Sequence, residues 1–174
     1  MNTITAPSGL SRLRMSVASI SHKHNPMKYI FNAEIRKALL ARIDKLEPST
    51  PARWGKMTAH DMVCHLIDHY NMAVNPRPVR VRKSIFLYQP FKWFAIYHAP
   101  IPRGMLKAPK EMRISKPDNW DQDIDRLKML AEKFGSMRDK TDWPDNIMTG
   151  TMDGNGWSAL LYRHTDHHLK QFGC

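Results

Sequence analysis

The sequence contains very little cysteine. Cys64 and Cys174 are the only two in 174 residues, they form no CxxC pair, and Cys174 is the last residue. This scarcity argues against a disulfide scaffold and against a zinc site built mainly on cysteines. Since structural disulfides belong to oxidising compartments, two isolated cysteines favour a cytoplasmic location.

The sequence also lacks a long apolar run. Its most apolar stretch, residues 84–101, is interrupted by two prolines, a lysine and a histidine, whereas a membrane-spanning helix needs about 20 predominantly apolar residues. The hydrophobic fraction of 42% is ordinary for a globular protein, and the length suggests one domain with a substantial core. We therefore expect a soluble protein without a transmembrane segment.

Acidic residues are absent or nearly absent from two segments of a chain whose net charge is +11. Residues 1–26 contain three basic residues, no acid and no apolar periodicity. They predict a disordered N-terminal extension, with an organelle presequence or a start codon at Met27 as alternatives. Residues 76–117 contain ten basic residues against Glu111 alone, and seven prolines. Such an excess attracts anions of many kinds and does not select among them.

Apolar residues recur at helical spacing in four segments. Asn32 and Thr58 are placed to cap the first two helices, and Thr58 with Asp61 resembles a capping box. The predicted helices cover residues 32–46, 58–75, 118–135 and 156–172, with Asp118 capping the third and Gly135 ending it. Between the second and third we predict a short helix around 83–98 and then an irregular basic loop. Amphipathic helices without strand-like alternation predict an all-α fold.

Histidine is the abundant chemistry-bearing residue, with nine copies. Six of them form two clusters, one in the second predicted helix and one in the last: His60, His65, His69, His164, His167 and His168. On a wheel of the last helix, His164 and His168 lie at the centre of the apolar face. Histidines at i and i+4 can direct their nitrogens at one metal ion, although a hydrogen-bonded core pair would show the same pattern.

A third ligand would have to come from the second helix. His60 lies opposite the apolar side of that helix, where we expect it to be solvated. His69 lies nearer the apolar arc than His65, so periodicity slightly favours His69 and leaves both open. His167 lies at the edge of the inward face, where a surface or supporting role is the better interpretation.

Two segments resemble the DinB/YfiT-like superfamily of metal-dependent enzymes, in a branch described as a domain of unknown function. They are RWGKMTAHDMVCHLIDH at 53–69 and WSALLYRHTDHHLKQFG at 157–173, and the resemblance extends over residues 27–173. Their M-x-x-H-L and HxxxHxxQ patterns imply His65, His164 and His168 as the metal ligands, with His69 as the alternative to His65. The resemblance also makes Met27 the start of the folded domain, residues 27–174.

The resemblance implies an up-down-down-up four-helix bundle that holds a divalent ion, zinc or nickel. Some relatives transfer low-molecular-weight thiols such as bacillithiol, mycothiol or glutathione, and related bundles often form homodimers. It therefore implies a thiol S-transferase or a hydrolase acting on a small-molecule substrate. The long basic insertion at 76–117 departs from the family pattern. Gln171, on the same face as the ligands, is a candidate for binding a cofactor or substrate, with helix-end packing as the alternative.

Two other interpretations rest on the basic segment. A non-catalytic module could bind nucleic acid or another polyanion through residues 76–117, with the aromatic residues of 86–97 as stacking surfaces. No nucleic-acid motif supports it, so we disfavour nucleic acid as a partner. Residues 84–107 also suit the surface of a membrane.

Nearer the histidines, we interpret Cys64 as buried packing and Asp61 as a capping residue rather than a partner of His65.

Overall fold

The computed structural model describes residues 27–103 and 109–174. The predicted extension at 1–26 lies outside the described residues. The α-helices are α1 Ala33–Ile43, α2 Ala59–Val74, α3 Phe91–Tyr97, α4 Trp120–Ser136 and α5 Gly154–Gln171, and 3₁₀ turns occupy Ile85–Leu87 and Lys110–Met112. Within these two ranges the only extended pairing is an isolated bridge between Asn146 and Gly150. The all-α prediction is confirmed for this part of the chain. Across 27–103 and 109–174, no helix combines the length and apolarity needed to cross a membrane.

The helix starts follow from capping side chains. Asn32 accepts a hydrogen bond from the amide of Ile35 at 3.0 Å, and Thr58 with Asp61 forms the predicted capping box at the start of α2. These side chains satisfy amides that have no partner inside the helix. The starts of α1 and α2 therefore agree with those predicted, whereas α1 ends at Ile43, three residues before the predicted end at Leu46.

The two later helices differ from prediction at their ends. Asn119, rather than Asp118, caps α4 by accepting from the amide of Gln122 at 3.0 Å, and α4 continues through Gly135 instead of stopping there. Helix α5 begins two residues before the predicted start because Asp153 caps it. Each correction moves a boundary by one or two residues, which is the usual uncertainty of helix ends.

Helix α2 is buried on almost every side. Between Ala59 and Val74 only three side chains escape full burial, so neighbours must cover the helix all round. It packs against α4, α5 and the turn Lys110–Met112, while α1 packs against α4 and α5. These four longer helices share one apolar core, in which Tyr70 and Trp157 are among the largest buried side chains. The up-down-down-up connection of a DinB-like bundle stays a prediction.

The described part of the segment 76–117 contains the predicted short helix and also a 3₁₀ turn, Lys110–Met112, where an irregular loop was predicted. Helix α3 lies inside the range 83–98 predicted for a short helix, and Arg163 of α5 holds its last turn by donating to the carbonyls of Ala95, Ile96 and Ala99. Carbonyls at a helix C-terminus lack intrahelical partners, and a cation there is favourable. Five large apolar side chains around α3 remain exposed: Ile85, Tyr88, Phe91, Trp93 and Phe94.

Candidate metal centre

Three histidine rings converge between α2 and α5. The Nε2 atom of His164 lies 3.2 Å from Nε2 of His65 and 3.1 Å from Nε2 of His168. Bonds of about 2.0–2.1 Å from nitrogen to a tetrahedral zinc ion place neighbouring nitrogens about 3.3–3.4 Å apart. The structure therefore brings the three histidines implied by the resemblance into one group that could hold a metal ion.

Carbonyl oxygens fix the tautomers of two of these rings. The Nδ1 atom of His65 lies 2.9 Å from the carbonyl oxygen of Met112, and Nδ1 of His168 lies 2.8 Å from Oε1 of Gln171. Because a carbonyl oxygen can only accept, each Nδ1 carries the proton and each Nε2 keeps its lone pair. Burial lowers the pKa of His65. Burial and the neighbouring His65 lower the pKa of His168 to about 3, so both rings are neutral at pH 7.

The central ring, His164, cannot donate a proton from its Nε2 to the Nε2 lone pairs of both His65 and His168. Burial, with the surrounding histidines, holds its pKa well below the ordinary value, so the ring carries a single proton. A proton on its Nε2 could point to the lone pair of His65 or to that of His168, and the other pair of nitrogens would repel. A divalent cation accepts all three lone pairs at once. The donor set therefore fits a metal ion better than a hydrogen-bonded core cluster.

His69 lies behind His164 and outside the converging group. Its Nδ1 atom is 2.7 Å from Nδ1 of His164, and burial, with His65 and His168, lowers its pKa to about 3. Histidine ligands usually donate their second nitrogen to a partner that sets the ring orientation. His69 occupies that partner position. This explains why its side chain, like that of a ligand, lies on the inward side of α2.

Gln171 holds His168 rather than facing an open space. Its Oε1 accepts from His168, and its Nε2 donates to the carbonyl of Trp54 at 2.7 Å. Both ends of the buried amide are thus engaged within the protein, and the second bond fixes which end faces His168. This arrangement is that of a residue that orients His168; contact with a cofactor stays a prediction.

The part of the chain that orients His65 was not predicted from the sequence. Asp68, buried on α2, accepts from the amide of Ile114 at 2.6 Å and from the amide and hydroxyl of Ser115 at 2.9 and 2.7 Å. These hydrogen bonds attach the segment that follows Met112, whose carbonyl contacts His65, to α2. The available signal was an acidic residue inside an otherwise apolar stretch of helix, since a buried carboxylate needs several donors.

A cavity of about 310 Å³ adjoins His65. Its wall includes Cys64 and Met112, and Arg113 and Lys116 lie at the same cavity. Asp61 also lines the cavity, so its wall carries two cationic side chains against one carboxylate, a small positive excess that favours an anionic ligand. Part of the basic segment 76–117 is therefore next to the candidate centre.

A second group of polar side chains joins α2 to α4. His60 Nε2 lies 2.8 Å from Oδ2 of Asp123, and Sγ of Cys64 lies 3.7 Å from the same oxygen. Cys64 is buried as expected, and burial, with Asp123, raises its pKa to about 12. The expectation of a solvated His60 holds only in part, since its side chain is 18% exposed. Asp123 was not singled out from the sequence.

Asp61 and His167, which lie near the histidines, make capping and packing contacts. Asp61 accepts from the Thr58 hydroxyl at 2.6 Å, in keeping with its predicted capping role. His167 contacts Trp54 edge to face, with ring centroids 5.7 Å apart, and does not join the converging nitrogens.

Comparison with known proteins yields no family model that matches the chain, no similar curated protein and no similar solved structure.

Proposed function

We propose that the protein is a metal-dependent enzyme of the DinB/YfiT-like type whose divalent ion, zinc or nickel, is bound by His65, His164 and His168. The observation that carries this proposal is the convergence of three neutral imidazoles whose Nε2 atoms hold too few protons to satisfy one another. Three protein ligands leave coordination positions open, which is typical of catalytic rather than structural sites.

Neighbouring residues hold the imidazoles in place for this role. The Met112 carbonyl and the Gln171 amide keep the Nδ1 protons of His65 and His168 directed away from the centre. When bound, a divalent ion would lower the pKa of a water or thiol so that a nucleophile is available at neutral pH. Arg113 and Lys116, against the single acid Asp61, give the adjoining cavity an excess of positive charge that would favour an anionic substrate. This setting favours transfer of an anionic thiol such as glutathione or bacillithiol, with hydrolysis as the second reaction class.

Metal content tests the first half of the proposal. Untagged full-length protein, purified without chelator, is expected to contain about one divalent ion at these histidines or to take it up on titration, and His168→Ala should lose it. His98→Ala is the matched control because His98 is exposed and directly follows α3, outside the candidate centre. Metal-free protein that binds no zinc, nickel, cobalt or manganese would refute the proposal.

The reaction is tested with the metal-loaded protein. Glutathione, bacillithiol and mycothiol are each offered with an electrophilic acceptor, and a panel of esters and amides is offered without thiol. Thiol transfer that disappears in His168→Ala supports the transferase, whereas hydrolysis of the panel supports the second class. Neither activity in protein that holds its metal would leave a metal-binding protein without these reactions.

A binding module for a polyanion is the second candidate. Its support is the exposed group Tyr88, Phe91, Trp93 and Phe94, in a stretch from Pro76 to Arg103 that contains basic residues and no acid. Aromatic faces beside cations bind single-stranded nucleic acid by stacking and ion pairing. The affinity should then fall steeply between about 50 and 200 mM salt. Absence of binding to single-stranded RNA and DNA at the lower salt would remove this candidate.

A further inference from the structure

We propose that His60, Cys64 and Asp123 form a second metal site, suited to zinc-like divalent ions, that joins the N-terminal halves of α2 and α4. This inference does not depend on the function proposed for the three-histidine centre. It rests on a separate group of ligand atoms, all within 4.8 Å of one another, drawn from two packed helices.

The placement of the ligand atoms follows from the helices. His60 and Cys64 are one turn apart on α2, so their side chains lie on the same side of that helix. Asp123, in the first turn of α4, faces both. The neighbouring Trp120 packs edge to face against the His60 ring, with centroids 5.4 Å apart, and so limits its rotation.

The distances are close to those of a coordinated ion. With a zinc–sulfur bond of about 2.3 Å and zinc–oxygen or zinc–nitrogen bonds of about 2.0–2.1 Å, a tetrahedral ion separates sulfur from oxygen by about 3.5–3.6 Å and nitrogen from oxygen by about 3.3–3.4 Å. Here the Cys64 Sγ to Asp123 Oδ2 distance is 3.7 Å and the His60 Nε2 to Asp123 Oδ2 distance is 2.8 Å. Binding therefore requires a shift of roughly half an ångström between His60 and Asp123.

The charges and chemical types of the ligands select the kind of ion. A thiolate, a carboxylate and a neutral imidazole together balance the charge of one divalent cation, and the thiol proton passes to solvent on binding. Sulfur, nitrogen and oxygen in one set suit zinc or cobalt rather than magnesium or calcium. The side chains of His60 and Asp123 keep 18% and 13% exposure, which gives water access to a fourth position.

Cobalt(II) distinguishes this site from the three-histidine centre, because this site includes the thiolate of Cys64 and the other consists of histidines. The full-length chain carrying Cys174→Ser, metal-free and kept reduced with a phosphine, is titrated with cobalt. We expect one equivalent to develop the near-ultraviolet charge-transfer absorption of a cobalt–thiolate bond, and any equivalent bound by the three-histidine centre to add no such absorption. Adding Cys64→Ser should remove this absorption and one equivalent, whereas adding His168→Ala should keep the absorption.

A second variant covers the case in which the buried Cys64→Ser change prevents folding. Asp123→Asn retains a polar side chain at a partly exposed position and removes the carboxylate charge, so the thiolate absorption should need at least about tenfold more cobalt to develop. Saturating cobalt without thiolate absorption in the parent protein would overturn the proposal. Absorption that survives Cys64→Ser, or an unchanged titration in Asp123→Asn, would overturn it as well.

Discussion

Acidification should destabilise the metal-free protein well above the pH at which carboxylates begin to protonate. The relevant groups are buried histidines, and for two of them, His69 and His168, burial lowers the pKa from 6.5 to about 3. The unfolded chain therefore binds more protons than the folded chain between about pH 3 and 6.5. By linkage, stability then falls as the pH falls through this interval.

The size of the effect follows from the two pKa values. At pH 7.5 an unfolded histidine with an ordinary pKa is almost unprotonated, so protonation contributes almost nothing. At pH 5.5 it favours the unfolded state by about 1.4 kcal/mol for each histidine that stays neutral in the fold, or about 3 kcal/mol for His69 and His168 together. His65 and His164 are shifted in the same direction. The loss is a large part of the 5–15 kcal/mol that is typical of a domain.

Urea unfolding followed by tryptophan fluorescence measures this loss at a series of pH values with chelator present. His98→Gln, which changes an exposed histidine, should keep the whole loss, whereas His69→Gln should reduce it by about 1.4 kcal/mol. A free energy of unfolding that stays level between pH 7.5 and 5.5 would refute the reasoning, because it would mean that these rings are not held neutral in the fold.

Three further outcomes concern the supports of the site and the core. Gln171→Leu removes the acceptor of the His168 Nδ1 proton and should weaken zinc binding about 10–100-fold by calorimetric titration, whereas Gln171→Glu, which keeps an acceptor, should weaken it less. Asp68→Asn leaves donors of the 114–115 backbone poorly satisfied and should cost about 1–3 kcal/mol in urea unfolding; unchanged stability would contradict the fastening role of Asp68. Leu127→Ala, in the core of α4, should cost about 2–5 kcal/mol in thermal unfolding and leave the metal stoichiometry unaltered.

Helices were predictable from the sequence where local signals agree. Asn32 and the Thr58–Asp61 pair satisfy helix amides within three residues of themselves, so their effect is visible without tertiary structure. The start of α4 was misplaced by one residue because Asp118 and Asn119 are both good caps and only the backbone conformation selects between them. Such choices depend on how the chain enters the helix from the preceding loop.

The candidate site was only partly predictable because its supports come from distant parts of the chain. The i, i+4 spacing of His164 and His168 identified one half, but helical phase slightly favoured His69 over His65, which is the residue that converges with them. Both side chains point inward, and the difference is that one meets Nε2 of His164 and the other meets Nδ1. The Met112 carbonyl lies in a segment without periodicity, so no local pattern indicated that it orients His65.

The hydrogen bonds from Arg163 to the end of α3 link the surface of the molecule to its interior. Arg163 immediately precedes His164, and its guanidinium group is bonded to three carbonyls at the end of the helix that bears the exposed aromatic side chains. A ligand bound to those aromatic side chains would therefore contact a helix whose C-terminal carbonyls are hydrogen-bonded to α5. Helix α5 also supplies two of the three converging rings, so a single hydrogen-bonded residue lies between the exposed aromatic side chains and the candidate centre.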